Sequence, residues 1–253
     1  MRGKFITFEG GEGAGKSTQA AMLASRLEAL GLGVVVTREP GGSPGAEAIR
    51  HVLLSGAAKP LGADVEAMLF AAARDDHVRC TILPALEAGK WVVCDRFADS
   101  TRVYQGALGK VDARLIKSLE RVSIGDLVPD LTLILDLPVE IGLERSKERR
   151  GDATPDRFEA EGADFHQKLR DAFRAIAADE PQRCVIIDAG TGKEEVAKLI
   201  WDAVTARLEP DRKAAEQPAA EQSAPAGTIA KKLAPEDPDD LAEELFAPED
   251  SSS

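Results

Sequence analysis

Gly10-Gly11-Glu12-Gly13-Ala14-Gly15-Lys16-Ser17-Thr18 is the stretch on which the reading of this chain turns. From Gly10 to Ser17 it fits the pattern G-x-x-x-x-G-K-[ST]. Glycines at these places permit a tight turn that aims backbone N–H groups at phosphate oxygens. Lys16 adds a point charge there, and the Ser17 hydroxyl can ligate Mg²⁺. The flanks agree with this. Lys4–Phe8 leads in as an apolar strand, and Thr18–Leu30 leads out with helical spacing. A helix start directly behind the loop adds a dipole that favours anions. A glycine-rich turn that bound nothing would leave Lys16, Ser17 and Thr18 unexplained.

Working outward, apolar runs recur at Lys4–Glu9, Val34–Thr37, Trp91–Asp95, Leu131–Asp136 and Cys184–Asp188. Their unbroken apolar character predicts strands covered on both faces. Between them Thr18–Leu30, Pro44–Leu54, Asp64–Glu87, Ala113–Ser123, Pro138–Arg149, Phe158–Asp179 and Lys193–Leu208 read as helices. Such alternation predicts an α/β fold with a mainly parallel sheet and helices on both faces. Ligands of such sheets bind beyond the carboxyl ends of the strands. Glu9, Arg38, Asp95, Asp136 and Asp188 stand there.

One domain is expected over residues 1–208. Beyond it, residues 209–253 carry six of the 14 prolines, with twelve acidic and four basic residues. That composition reads as a disordered acidic Pro/Ala-rich tail. Its one amphipathic stretch is Leu241–Phe246, either a docking segment or a transient helix. The formal net charge of −12 argues against a general nucleic-acid binder. No signal-like N-terminus is present, and no apolar run reaches the ~18 residues of a membrane span, so neither secretion nor membrane insertion is expected. The three cysteines have no metal-like spacing, and two lie in apolar runs, which predicts reduced core thiols in a cytoplasmic protein.

Four further groups carry chemistry. Thr37-Arg38-Glu39-Pro40-Gly41-Gly42-Ser43, followed by Arg50, places two arginines by a forced turn. Their forked guanidinium groups suit a second phosphate, although a turn with surface arginines would look the same. Asp95-Arg96 ends a strand, where the acid can hold Mg²⁺ and the arginine a phosphate, or the two can pair with each other. Ser100, Thr101, Tyr104 and Gln105 follow on one helical face as candidate readers of a small polar molecule. Phe70 and Arg74 are four apart on one face. They are either a core ring with a surface charge, or a base-stacking ring with a donor to a base carbonyl. Finally Arg145, Lys147, Arg149, Arg150 and Arg157 crowd residues 144–158, where Gly151 and Pro155 break the helix. This is either a solvated helix end or a mobile cationic lid.

Together these strings resemble the bacterial thymidylate kinases, in order over about residues 1–205. The matches are Phe8-Glu9-Gly10 into the phosphate loop, Thr37-Arg38-Glu39-Pro40-Gly41-Gly42, Phe70 with Arg74, Asp95-Arg96-Phe97 to Tyr104-Gln105-Gly106, and Asp156-Arg157. Ser43 stands where threonine is commoner. The resemblance implies a P-loop nucleotide kinase fold with a five-stranded parallel sheet, a homodimer, and transfer of the γ-phosphoryl of ATP to dTMP with Mg²⁺, feeding dTTP synthesis. It implies that Gly10, Gly11, Glu12, Gly13, Ala14, Gly15, Lys16, Ser17 and Thr18 hold ATP. Arg38, Arg50 and Arg96 would surround the dTMP phosphate, Phe70 would stack on thymine, and Arg74 would reach its O4. Ser100, Thr101 and Gln105 would complete the substrate site, and Tyr104 would crowd the sugar's 2′ position. Glu9, Ser17 and Asp95 would attend the metal, with Glu9 also near the sugar. Lys16, Arg96, Arg149 and Arg157 are the implied catalytic cations. The acidic Glu12 in the loop and the arginines at 145–157 match the type whose catalytic arginine sits in the lid. The alternatives are a kinase for another nucleoside monophosphate, and a nucleotide-dependent switch that transfers nothing. A second phosphate site speaks against the switch.

Overall fold

The structure is a computed structural model, and it describes residues 2–151 and 158–210. Residues 211–253 of the expected tail, including Leu241–Phe246, and Arg157 of the expected lid lie outside the described residues. Five strands, β1 Phe5–Gly10, β2 Val34–Arg38, β3 Trp91–Asp95, β4 Leu131–Asp136 and β5 Cys184–Asp188, form one parallel sheet in the order β2-β3-β1-β4-β5. The register brings Phe8 beside Asp95 and Gly10 beside Leu135, so the phosphate loop leaves the centre of the sheet.

Helices α1 Lys16–Glu28 and α2 Pro44–Leu54 follow the first two strands. Next come α3 Ala63–His77 and α4 Leu83–Glu87, joined by a wide π-turn over Val78–Ile82. The sequence pattern expected a single helix over Asp64–Glu87. Pro84 explains the difference, because it has no N–H for the ladder and the helix widens by one residue around it. After β3 come α5 Ala98–Thr101, a second π-turn Arg102–Leu108, and α6 Ala113–Ile124, capped by Asp112 accepting from Arg114 N at 2.7 Å. The last helices are α7 Val139–Arg150, α8 Ala163–Asp179 and α9 Lys193–Leu208. The expected helix from Phe158 thus begins at Ala163, with Gly162 at its N-cap.

Strand alternation divides the core. Ile6, Phe8, Leu131, Leu133 and Leu135 pack against α1 and α9 through Leu23, Leu27, Val196 and Ile200. Phe5, Val92 and Cys94 face the other way, onto Val78, Ile82 and Leu86. Thr7 and Thr132 pair across the buried sheet at 2.8 Å. Arg183 satisfies that polar spot, donating to Thr132 Oγ1 at 2.8 Å and, with both Nη atoms, to Asp99 at 2.7 and 2.8 Å. Asp99 lies in α5, so this buried bridge fixes the short helix that carries Ser100 and Thr101. Cys94 and Cys184 are buried free thiols, and Cys80 is exposed on the first π-turn. Among the described residues no helix is long and apolar enough to cross a membrane.

Candidate active site

Gly10, Gly13 and Gly15 all adopt positive φ, so the loop's curl demands glycine. Gly15 caps α1 from a left-handed conformation with no side chain in the way. The first turn of α1 therefore opens toward the space above the sheet, as an anion site requires. Lys16 is buried and donates to the loop carbonyls of Gly10 at 3.2 Å and Gly11 at 2.7 Å. Burial, then the nearby Arg96, pull its pKa below the usual lysine value, and Glu12, Asp95 and Glu9 oppose that. Ser17 Oγ donates to Asp95 Oδ2. A hydroxyl and a carboxylate so paired form a hard oxygen set of the kind Mg²⁺ takes together with phosphate oxygens. Among the described residues no three His, Cys, Asp or Glu side chains gather into a cage for a metal.

Arg96 adopts a φ of 70°, a conformation rare for a side-chain-bearing residue and a mark of functional sites. Its guanidinium donates to Gly10 O at 3.1 Å, Ser100 Oγ at 3.3 Å and Glu12 Oε1 at 2.6 Å, and it lies 5.4 Å from the Tyr104 ring centre. Burial works against its charge, but Tyr104, Glu12, Glu9 and Asp95 outweigh that and hold it protonated. Glu12, expected from the sequence as an acidic member of the ATP-holding loop, is thus the anion that Arg96 grips. Burial raises the Glu12 pKa, but Arg96, Lys16, Arg149 and His166 bring it down to about 2. Glu9 is fully buried. One of its oxygens accepts from Phe97 N at 2.8 Å and Ser100 N at 3.2 Å, the other from Ser100 Oγ at 2.7 Å. Burial first, then the charge of Asp99, push its pKa up to about 7. In this structure Glu9 ties the start of α5 to β1.

One cavity of about 310 Å³ gathers most of the expected residues. Glu12, Gly13, Gly15, Lys16, Ser17 and Thr18 line it together with Asp95, Arg96, Ser100, Thr101, Tyr104 and Gln105. Arg38, Arg50, Phe70, Arg74 and Arg149 line it as well. Glu9, Gly10, Gly11 and Ala14 do not line it; Gly10 and Gly11 line a smaller cavity that shares Glu12 with the first. Arg50 donates to Pro40 O at 2.6 Å, and Arg38 pairs with Glu47 at 3.1 Å. Gly42 N donates to the same Glu47 oxygen at 3.0 Å, so Glu47 braces the turn. Phe70 faces Phe158 with ring centres 6.2 Å apart, and Tyr104 meets Phe158 edge-on at 5.0 Å.

Three participants were not legible as site residues. Glu39, read only as part of the turn, is buried and accepts from Arg74 Nε at 2.7 Å. His77, which falls in none of the motifs, contacts the other Glu39 oxygen at 3.1 Å. Glu159 gathers Arg149 at 2.9 Å and Arg150 at 3.2 Å, and its Oε1 also accepts from Ser146 Oγ at 2.8 Å. The signal for Glu39 and His77 was in the spacing. His77 is one helical step beyond Arg74, and Glu39 follows the strand-end arginine. Nothing in the sequence pointed to Glu159. Arg145 donates to Ala189 O at 3.2 Å, so of the expected lid arginines only Arg149 lines the cavity among the described residues.

Comparison with known proteins bears on this arrangement directly. The family model described as thymidylate kinase matches residues 8–200. A thymidylate kinase of a Bradyrhizobium species is 66% identical over 207 residues, covering 82% of this chain and 92% of that protein. One from Rhodopseudomonas palustris is 65% identical over 218 residues, 85% of this chain and 95% of that protein. The crystal structure of thymidylate kinase from Ehrlichia chaffeensis superposes with a TM-score of 0.63 at 33% identity, covering 81% of this chain and 99% of that one. With the parallel sheet, the phosphate loop and the arginine-lined cavity in place, the match extends from sequence to architecture: this chain belongs to the thymidylate kinase family.

Proposed function

We propose that the protein transfers the γ-phosphoryl group of ATP to dTMP, giving ADP and dTDP. The observation that carries this reading is one shared cavity. The phosphate loop with Lys16 and the cations Arg38, Arg50 and Arg96 line it together, beside the aromatic Phe70. A donor phosphate and an acceptor phosphate can therefore meet in one enclosure. An oxygen of the dTMP phosphate attacks the γ-phosphorus, the bond to the β–γ bridging oxygen breaks, and ADP carries away the electron pair. The acceptor is already anionic, so no strong general base is needed. What remains is positioning and charge neutralisation.

In this reading Gly10–Thr18 cradle the ATP phosphates and Lys16 leaves the loop carbonyls for phosphate oxygens. Arg38, Arg50 and Arg96 receive the dTMP phosphate, Arg96 exchanging Glu12 for it. Phe70 stacks on the base, Arg74 donates to its C4 carbonyl, Thr101 and Gln105 flank it, and Tyr104 closes the sugar pocket. Ser17 and Asp95 would hold Mg²⁺, which when bound neutralises phosphate charge. Glu9 acts on the site through Ser100. Arg149 and Arg157 supply lid charge, a kind of contribution worth roughly 10³–10⁵ in rate. A cytoplasmic homodimer is part of the same proposal. It draws on the family and on the exposed apolar residues of α3 and α6.

The test is ADP production from Mg-ATP with dTMP, dUMP, dCMP, dGMP and dAMP in parallel. A strong preference for dTMP is expected, and Lys16→Ala should abolish turnover while leaving the fold intact. ATP binding without transfer to any monophosphate, or near-normal turnover by a folded Lys16→Ala protein, would overturn the reading.

A further inference from the structure

Arginine has a long flexible stem, and a donor that wanders cannot discriminate between bases. What holds Arg74 is therefore a question separate from what Arg74 touches. Its guanidinium is almost wholly enclosed, at 2% exposure. Nε donates to Glu39 Oε2 at 2.7 Å, and Nη2 donates to Phe97 O at 3.2 Å and Thr101 Oγ1 at 3.0 Å. The Phe97 ring centre lies 5.4 Å from the guanidinium carbon. Glu39 is itself held from behind. Its Oε1 meets His77 Nδ1 at 3.1 Å, and His77 Nε2 meets Thr37 Oγ1 at 2.7 Å. His77 is fully buried, and a Cβ on Gly42 would come within 2.4 Å of both His77 Nε2 and Thr37 Oγ1. The chain Thr37–His77–Glu39–Arg74–Thr101 thus runs without a gap from β2 through α3 to α5, and Glu39 and Arg74 both line the cavity.

A buried ion pair is a poor source of net stability, since well-packed apolar residues often do as well. Its use here is orientation. We propose that Glu39 and His77 are positioning residues that set base selection by locking the direction of the Arg74 guanidinium. The proposal rests on the reading above in which Arg74 faces the base. A fixed N–H donor suits a pyrimidine with a carbonyl at C4. It opposes cytosine, whose C4 amino group is also a donor. A guanidinium freed from Glu39 can retreat from that clash, so loosening it costs selectivity as well as affinity.

The experiment uses the full-length protein and the variants Glu39→Gln, His77→Phe, Arg74→Ala and the double variant Glu39→Gln/Arg74→Ala. Steady-state KM and kcat are measured for dTMP, dCMP and ATP. Glu39→Gln should raise the dTMP KM about tenfold, the low end of what a hydrogen bond to a charged group is worth. The ratio of kcat/KM for dTMP over dCMP should fall by a similar factor, with the ATP KM held within about twofold. His77→Phe should act in the same direction and more weakly, and it carries the test if Glu39→Gln does not fold. The double variant should be no worse than Arg74→Ala alone. A Glu39→Gln protein that only melts earlier, with dTMP KM and base ratio unchanged, overturns the proposal. So does a Glu39→Gln effect that adds in full to Arg74→Ala. If Arg74→Ala leaves dTMP and dCMP kinetics untouched, the assignment of Arg74 to the base falls, and this inference with it. A base-selective Arg74→Ala beside a neutral Glu39→Gln removes the positioning role alone.

Discussion

Glu9 and Glu12 stand three residues apart and are driven in opposite directions by what folds over them. Glu9 is sealed under α5 with the charge of Asp99 nearby, and its pKa rises to about 7. Glu12 meets Arg96 and Lys16, and its pKa falls to about 2. The consequences for stability have opposite signs. A carboxyl raised in the folded state binds its proton more tightly there, so its stabilising share is full below about pH 4.5 and is lost as pH rises through 7. A carboxyl lowered in the folded state contributes above about pH 4.5, and that share is lost as pH falls toward 2. Melting temperature followed across pH should therefore lose its decline between pH 4.5 and 7 in Glu9→Gln. Glu12→Gln should instead flatten the acid limb. Identical pH profiles in wild type and Glu9→Gln would contradict the sealed carboxyl. Both glutamates were visible in the sequence as members of one motif. Their divergence was not, because it depends on Asp99 and Arg96, which arrive from the far side of β3.

At the scale of elements, the phosphate loop is shaped by two neighbours distant in sequence. A Cβ on Gly10 would meet Leu135 O at 2.4 Å, and one on Gly13 would meet Gly142 O at 2.0 Å. The contact is mutual, since a Cβ on Gly142 would meet Glu12 O at 2.5 Å. Gly13→Ala combines this backbone collision with a φ of 67°, so the loop must lift from α7. The expected result is an ATP KM raised at least about tenfold, with the dTMP KM changed far less; the same kinetics applied to both substrates check it. Equal losses for both would mean that the loop serves the whole cavity rather than ATP. Gly13 was legible from the motif's spacing. Gly142 was not, because a glycine inside a helical pattern reads only as a conformational cost until a second backbone is seen against it. The π-turns divide in the same way. Pro84 marks the first, whereas no residue type announces the second, which carries Tyr104 and Gln105 into the cavity.

At the scale of the whole molecule, α3 and α6 lie side by side over a small cluster of Ala67, Val111 and Ile116. They leave Met68 of α3 47% exposed and Val122 of α6 76% exposed, with Val128 close behind α6 at 60%. Exposed apolar side chains on two neighbouring helices are ones that another chain can cover. In the proposed homodimer this face is the first choice for the contact. Sedimentation at micromolar concentration should show a dimer, and Met68→Asp or Val122→Asp should shift it toward monomer. A monomeric wild type would remove the dimer from the proposal, and a dimer indifferent to both changes would move the contact elsewhere.

Taken alone, the order of residues determined the strands, the helices between them, the phosphate loop and the kind of chemistry. Each of these is written in local spacing. Unbroken apolar runs mean parallel strands, buried at the centre of the sheet but open at its edges, where Val36 of β2 and Ile186 of β5 stay exposed, and G-x-x-x-x-G-K-S means a backbone curl that holds phosphate. The motif arginines and Phe70 took their roles from the family resemblance, since spacing alone left Phe70 and Arg74 open between a core ring with a surface charge and a base site. Only the tertiary structure decided which charges meet. Arg96 grips Glu12, Glu39 locks Arg74 with His77 behind it, Arg183 reaches Asp99 beneath the sheet, and Glu159 collects Arg149 and Arg150. The first of these crosses between the segments that follow β1 and β3, which the sheet order β2-β3-β1-β4-β5 sets side by side. Side-chain pairing over such separations leaves no period in a sequence, because it is set by which strand lies beside which.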